Sequence, residues 1–255
     1  MGLFGKSTFL ENELEAWSLE TWAWLMHAFG GMARLERTPL VLANKDFFPP
    51  TDTEGAERGR YIFDMVSRWM GIGDWACTLQ SYERRPANAA LGGLAMLKGA
   101  EAPSGTFQIV DGQPIISYAL DLVEQPRVLI ATLAHELSHY MIACAWTKGA
   151  SPGGREAHEL TTELCVAYAG FAVFGANAAF EFGQFQGGGL QGWSSQRRGY
   201  FSERSWAFAL AVFLALKDAP APSGVLKPSV ADLTEKASRY LKRNAGLLEP
   251  LRAIS

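Results

Sequence analysis

Five consecutive residues, His135-Glu136-Leu137-Ser138-His139, have the types and spacing for metal-assisted hydrolysis. Two histidines four apart on a helix differ by about 40° around its axis, so both imidazoles face the same way. Zinc favours neutral imidazole nitrogen at about 2.0–2.1 Å, and one helical turn provides that bite. Glu136, next to the first histidine, can reach a metal-bound water without ligating the metal. Zinc lowers the pKa of such a water toward ~7, and a nearby carboxylate can then take the proton. The same pattern can arise by chance on a solvated helix, where it binds nothing. Here Ile130, Leu133, Ala134, Leu137, Met141 and Cys144 form an apolar stripe at helical spacing, which places the histidines at the margin of a core-facing surface.

A catalytic zinc takes three protein ligands and keeps one position open. Its histidines also want a carboxylate on their second nitrogen. Glu159 and Glu163 lie one turn apart on the next predicted helix and share a face, so between them they can fill both roles. The competing view, a solvated acidic face near a helix N-terminus, fits poorly with Leu160, Leu164, Tyr168 and Phe171 beside it. His158 stands about 100° round the helix from Glu159 and is not expected to share the metal, although an imidazole there could stabilise an oxyanion. His27 reads as a partly buried structural residue. For the oxyanion donor the candidate is Tyr200, with Arg197 and Arg198 before it; the alternative is a Tyr packed under its loop.

The residues His135-Glu136-x-x-His139, followed by Glu159-x-x-x-Glu163, resemble the gluzincin metallopeptidases, the thermolysin-like branch of the zincins. The twenty-residue interval from His139 to Glu159 is similar to theirs. The resemblance implies one zinc ion held by His135, His139 and Glu159, with Glu136 as general base and Glu163 in the outer shell. The family usually has Asp where this chain has the longer Glu163. The segment from His158 to Ala179, with Gly170-Phe171 and Gly175-Ala176-Asn177, also resembles little-characterised bacterial proteins with the same HExxH and Glu helix. The likeness is specific over about residues 130–180. It further implies an edge strand ahead of the active-site helix that pairs with extended substrate, for which Ile115 to Leu120 is the match.

The elements that must position these residues read as follows. Residues 11–29 form an amphipathic helix with Leu14, Trp17, Thr21, Trp24, Leu25 and Ala28 in its stripe. Residues 36–54 are a loop, and 55–70 form a second helix. A strand is expected at 74–82, residues 84–104 are ambiguous, and Phe107–Val110 and Pro114–Leu120 are strands joined at Asp111-Gly112. Helices follow at about 125–147 and 155–180, then a Gly/Gln-rich loop at 183–199. Ser202 caps a helix to about 217, Ala219 to Pro222 link, and 229–243 form a last helix. The expected fold class is helix-rich α+β and zincin-like, with a small, mostly antiparallel sheet. It forms a single domain over 1–255: a core at about 74–217, a helical N-terminal segment 1–73 and the C-terminal helix. The loops at 36–54 and 181–199 could cover the cleft.

The 255 residues are 48% hydrophobic and 19% charged with net charge −3, which suits a globular core and gives no basic excess for nucleic acid. The start lacks an apolar signal region, and Lys6 stands where myristoylation after Gly2 wants Ser or Thr. The apolar runs Leu164–Phe180 and Trp206–Leu216 are short of a clean membrane span, so no membrane partner is expected. Cys77, Cys144 and Cys165 form no C-x-x-C pair and read as reduced core residues of a cytoplasmic protein. Gly187-Gly188-Gly189 lacks the Lys-Ser/Thr of a phosphate loop, and Trp17, Trp22 and Trp24 read as core, not a binding box. The expected activity is a zinc-dependent hydrolase acting on a peptide or protein substrate, with the oligomeric state left open. The alternatives are a zincin-fold binding or regulatory protein that holds zinc and an extended peptide without cutting it, and a helical scaffold with a chance motif.

Overall fold

The computed structural model describes residues 8–84, 104–185 and 201–255. Three helices come first: α1 (Asn12–Phe29), α2 (Gly31–Arg37) and α3 (Gly55–Trp69). The sheet follows, with β1 (Thr78–Tyr82), β2 (Gly105–Val110) and β3 (Gln113–Ala119). Next come α4 (Pro126–Trp146), α5 (His158–Tyr168), α6 (Ala172–Phe185), α7 (Glu203–Leu216), α8 (Pro228–Arg243) and the short α9 (Glu249–Arg252). The class is α+β, as expected.

The sheet order is β1-β3-β2, with β1 parallel and β2 antiparallel to β3. It is therefore mixed, not mostly antiparallel. The hairpin forms where Asp111-Gly112 predicts it: both residues take positive φ, 51° and 77°, the pair of conformations a two-residue turn needs to match strand twist. β3 is the central strand, so the expectation that Ile115–Leu120 is an edge is corrected. Both its sides are already paired, and among the described residues the open edge nearest α4 belongs to β2.

α4 packs against α3, α5, α6, β2 and β3 and is the hub of the core. Being surrounded, it must be apolar on most of its circumference. By length and composition it is also the described helix apolar enough to cross a membrane, yet 56% of that stretch is buried inside the protein. The apolar runs that the sequence singles out, Leu164–Phe180 and Trp206–Leu216, lie instead in α5–α6 and α7. Within the expected stripe Ile130, Leu133, Ala134, Leu137 and Met141 are buried, whereas Cys144 is half-buried. Cys77 is half-buried too, and Cys165 is the fully buried member of the three free thiols.

The single helix expected over 155–180 is two. Gly170 takes φ +90°, and a Cβ there would lie 2.1 Å from the Pro39 carbonyl oxygen. The chain at 38–41 passes so close that only glycine fits, and the Val41 N–H donates to the Gly170 carbonyl. α1 buries half of its expected stripe, Thr21, Leu25 and Ala28, and its buried face turns toward Glu15, Ser18, Trp22 and Met26 in place of Leu14, Trp17 and Trp24. Trp22, Leu25 and Met26 are fully buried, together with Glu15, Ser18 and Thr21, while Trp17 and Trp24 lie at the margin and His27 is exposed. Cations close helix C-termini from a distance: Lys148 donates to the Ala28 carbonyl of α1 at 2.6 Å, and Lys217 to Leu35 and Glu36 of α2 at 2.6 and 2.7 Å. Ser202 caps α7 by accepting from the Ser205 N–H at 3.1 Å.

Candidate metal centre

α4 projects His135 and His139 to one side, with their Nε2 atoms 3.2 Å apart and their rings nearly perpendicular. α5 brings the third group. The loop between these helices is tied to α1 by the two marginal tryptophans: Trp24 donates its indole N–H to Gly149 O at 3.1 Å, and Trp17 to Pro152 O at 3.0 Å. These tryptophans pack partly buried against the core and anchor the loop as well. Glu159 Oε2 then lies 3.5 Å from His135 Nε2 and 3.7 Å from His139 Nε2.

The outer nitrogens are also engaged. Glu163, buried on the next turn of α5, puts Oε1 3.7 Å from His135 Nδ1, an ionic contact beyond hydrogen-bond length. His139 Nδ1 lies 3.0 Å from His158 Nε2 and 3.1 Å from Thr162 Oγ1. His158 thus belongs to the constellation after all. Its angle around α5 keeps it off the position between His135, His139 and Glu159, but the crossing of α5 on α4 brings it to the far side of His139. Thr162 drew no notice in the sequence because a buried Thr has no chemical signature of its own.

Without a cation the groups hold one another's charge. Burial opposes a charged His135 most strongly, but Glu159 and Glu163 outweigh it, and with Glu136 they carry its pKa up to about 10. Burial and the neighbouring His135 push His139 down to about 4, with His158 adding to the effect and Glu159 opposing it. Contact with His135 holds the Glu159 carboxyl below its ordinary value against partial burial. One proton on His135 therefore stands in for the positive charge that two carboxylates demand.

Glu136 is buried but faces a cleft of about 440 Å³ lined by β2 from Gly105 to Phe107 and by the motif residues, His158 and Glu159. Burial pushes its carboxyl up to about 7, Glu159 adds to the rise, and His135 and a hydrogen bond from the Phe107 N–H oppose it. β2 approaches α4 so closely that a Cβ on Gly105 would lie 2.6 Å from Thr132 Cγ2 and 2.9 Å from Glu136 Cγ. Gly105 and Phe107 were missed by sequence reasoning. A lone glycine opening a strand was the available sign of a close backbone approach. Phe107 also stacks on Tyr140 at 5.7 Å and lies parallel to the His139 ring at 6.5 Å. Tyr140 points the other way, donating to Ala76 O at 3.0 Å. Tyr200, the expected oxyanion donor, lies outside the described residues together with Arg197 and Arg198 before it.

The donor set fits a zinc ion. Ligand atoms each about 2.0–2.1 Å from a tetrahedral centre lie roughly 3.3–3.4 Å from one another. The observed edges of 3.2, 3.5 and 3.7 Å bracket that value. Two imidazoles and one carboxylate are also the donor types of a catalytic zinc. Among the described residues, His135, His139 and Glu159 form the group of metal-binding side chains close enough to share an ion. No protein-family model, curated protein or solved structure matches the chain.

Proposed function

We propose that this protein is a zinc-dependent hydrolase acting on peptide bonds, with the zincin-like, gluzincin-type arrangement that its motif resembles. The observation that carries this is the near-equilateral triangle of His135 Nε2, His139 Nε2 and Glu159 Oε2 at the edge of an open cleft with a buried carboxylate alongside. A zinc ion held by these three residues supplies Lewis acidity, polarising a carbonyl and lowering the pKa of a coordinated water toward ~7.

The chain's own groups supply the rest. Glu136 takes a proton from the attacking water and returns it to the leaving amine nitrogen. Its place beside the cleft, next to a metal-ligating histidine, puts it within reach of both transfers. The Phe107 N–H fixes the Glu136 carboxylate, and Gly105 leaves it room. Because the Phe107 N–H points at Glu136 and away from β3, its carbonyl points to the same open edge. An extended peptide lying along β2 can donate to that carbonyl, which orients its backbone across the cleft. The exposed Ile109 continues that edge beyond the metal position.

The reading is tested by incubating zinc-repleted protein with a mixed-sequence peptide library and identifying the products by mass spectrometry. Cleavage that a chelator stops and zinc restores supports it. Peptides that bind without being cut would replace it with a zinc-dependent binding protein.

A further inference from the structure

α5 presents His158, Glu159, Thr162 and Glu163 to α4 on two adjacent turns. Glu159 meets both histidines and Glu163 meets His135, which leaves the contacts of His158 and Thr162 with His139 unassigned. We propose that His158 and Thr162 form a paired acceptor that fixes the tautomer of His139 and so aims its Nε2 lone pair at the metal position. The proposal rests on the reading of His135, His139 and Glu159 as a metal site.

The proton positions follow from bond counting. Thr162 Oγ1 donates its one proton to the His158 carbonyl, one turn back on α5, at 2.9 Å. Toward His139 Nδ1, 3.1 Å away, it can only accept. That contact is a hydrogen bond only if His139 carries its proton on Nδ1. His158 Nε2, at 3.0 Å, must then also accept, and its own proton sits on Nδ1. Ring orientation supports this. The His139 and His158 rings are 26° from parallel with centroids 5.0 Å apart. So large a separation for nitrogens only 3.0 Å apart puts the N···N line nearly along the line of centres, as in an in-plane hydrogen bond and unlike a face-to-face stack. Trp146 meets the His158 ring at 87° and 6.2 Å, bracing it from another side.

With the Nδ1 proton held by two acceptors, a neutral His139 has its lone pair on Nε2, the nitrogen facing His135 Nε2 and Glu159 Oε2. Histidine in water favours the opposite tautomer, with the proton on Nε2, which would block ligation. His158 and Thr162 are therefore positioning residues, and α5 serves both imidazoles of α4 from one face: Glu163 for His135, His158 and Thr162 for His139.

Two measurements test this. Long-range proton–nitrogen NMR of the metal-free wild-type chain reads the His139 tautomer directly. A proton on Nδ1 is expected, and one on Nε2 overturns the proposal whatever the metal does. Chelator-competition titration then compares zinc affinity of the wild type, His158→Phe with Thr162→Val, and His158→Gln. The double variant is expected to bind about 10–100-fold more weakly, the loss typical of outer-shell partners. His158→Gln, which keeps an acceptor, is expected to recover most of that loss. A double variant within about threefold of the wild type, well under the usual outer-shell loss, sinks the proposal. A wild type that takes up no zinc defeats the metal reading instead, and because a protonated His135 can also donate to His139 Nε2, 3.2 Å away, a His139 tautomer identical in the wild type and the double variant then removes the role of His158 and Thr162.

Discussion

Glu15 and Glu136 are both buried, 4% and 7% exposed, and their surroundings could hardly differ more. Glu15 on α1 accepts from the Phe9 and Leu10 N–H groups at 3.0 and 3.2 Å and from the Tyr240 hydroxyl at 2.6 Å. Around it the chain is closed: Arg204 donates to the Phe9 carbonyl at 2.6 Å and lies 4.2 Å over the Phe9 ring, which stacks on Phe208. Glu136 on α4 is held by the Phe107 N–H, crowded by ionisable neighbours and open to the cleft. A carboxylate whose oxygens are occupied by rigid donors joins segments of chain, here the N-terminal stretch, α1 and α8. One left with spare oxygens beside open space and a shifted pKa is available to move a proton.

If that contrast is right, removing each carboxylate should damage a different property. Glu136→Gln is expected to lower turnover by about 10²–10⁴-fold while zinc content and Tm stay near wild type. A variant that keeps full activity after zinc repletion would falsify the role of Glu136 as base. Glu159→Ala should weaken zinc binding by more than the roughly 10–100-fold of an outer-shell loss, measured by chelator competition. Unchanged metal content there would show that Glu159 is not the third ligand.

Glu15→Ala should do the reverse. It orphans two buried N–H groups and a hydroxyl, costing about 3 kcal/mol, or a Tm lower by roughly 6–12 °C, with zinc affinity unaltered. Loss of zinc at a temperature where the variant is still folded would show that the two regions are coupled. The mildest change, Gly105→Ala, sharpens the comparison from the site's side. The added methyl presses on Thr132 and Glu136, costing about 1–3 kcal/mol in stability, while misplacing Glu136 should cost on the order of 10-fold in turnover. A variant destabilised to that extent with wild-type turnover would show that Glu136 tolerates the shift.

Relations within one element were legible in the sequence. The spacing of His135, Glu136 and His139, the pairing of Glu159 with Glu163, the Asp111-Gly112 turn and the Ser202 cap are all local, and each is found where its pattern places it. Relations between elements were not. The apolar pattern of α1 finds Thr21, Leu25 and Ala28 but not Glu15, which is buried against Tyr240 far along the chain. The break at Gly170 is imposed by the passing segment at Pro39, and β3 became central because β1 adds to its far side. The contact of His158 with His139 depends on how α5 crosses α4, which no periodicity records. The zincin likeness rests on the motif and its spacing, and the geometry adds the three donor distances.

The most direct test of the central claim is the zinc content per chain of the purified, gently repleted protein, measured by elemental mass spectrometry. The account predicts about one zinc per chain, lost in His135→Ala and His139→Ala. A chain that remains folded yet takes up no zinc would contradict it and leave the triangle of donors as a proton-bridged cluster with no metal to hold.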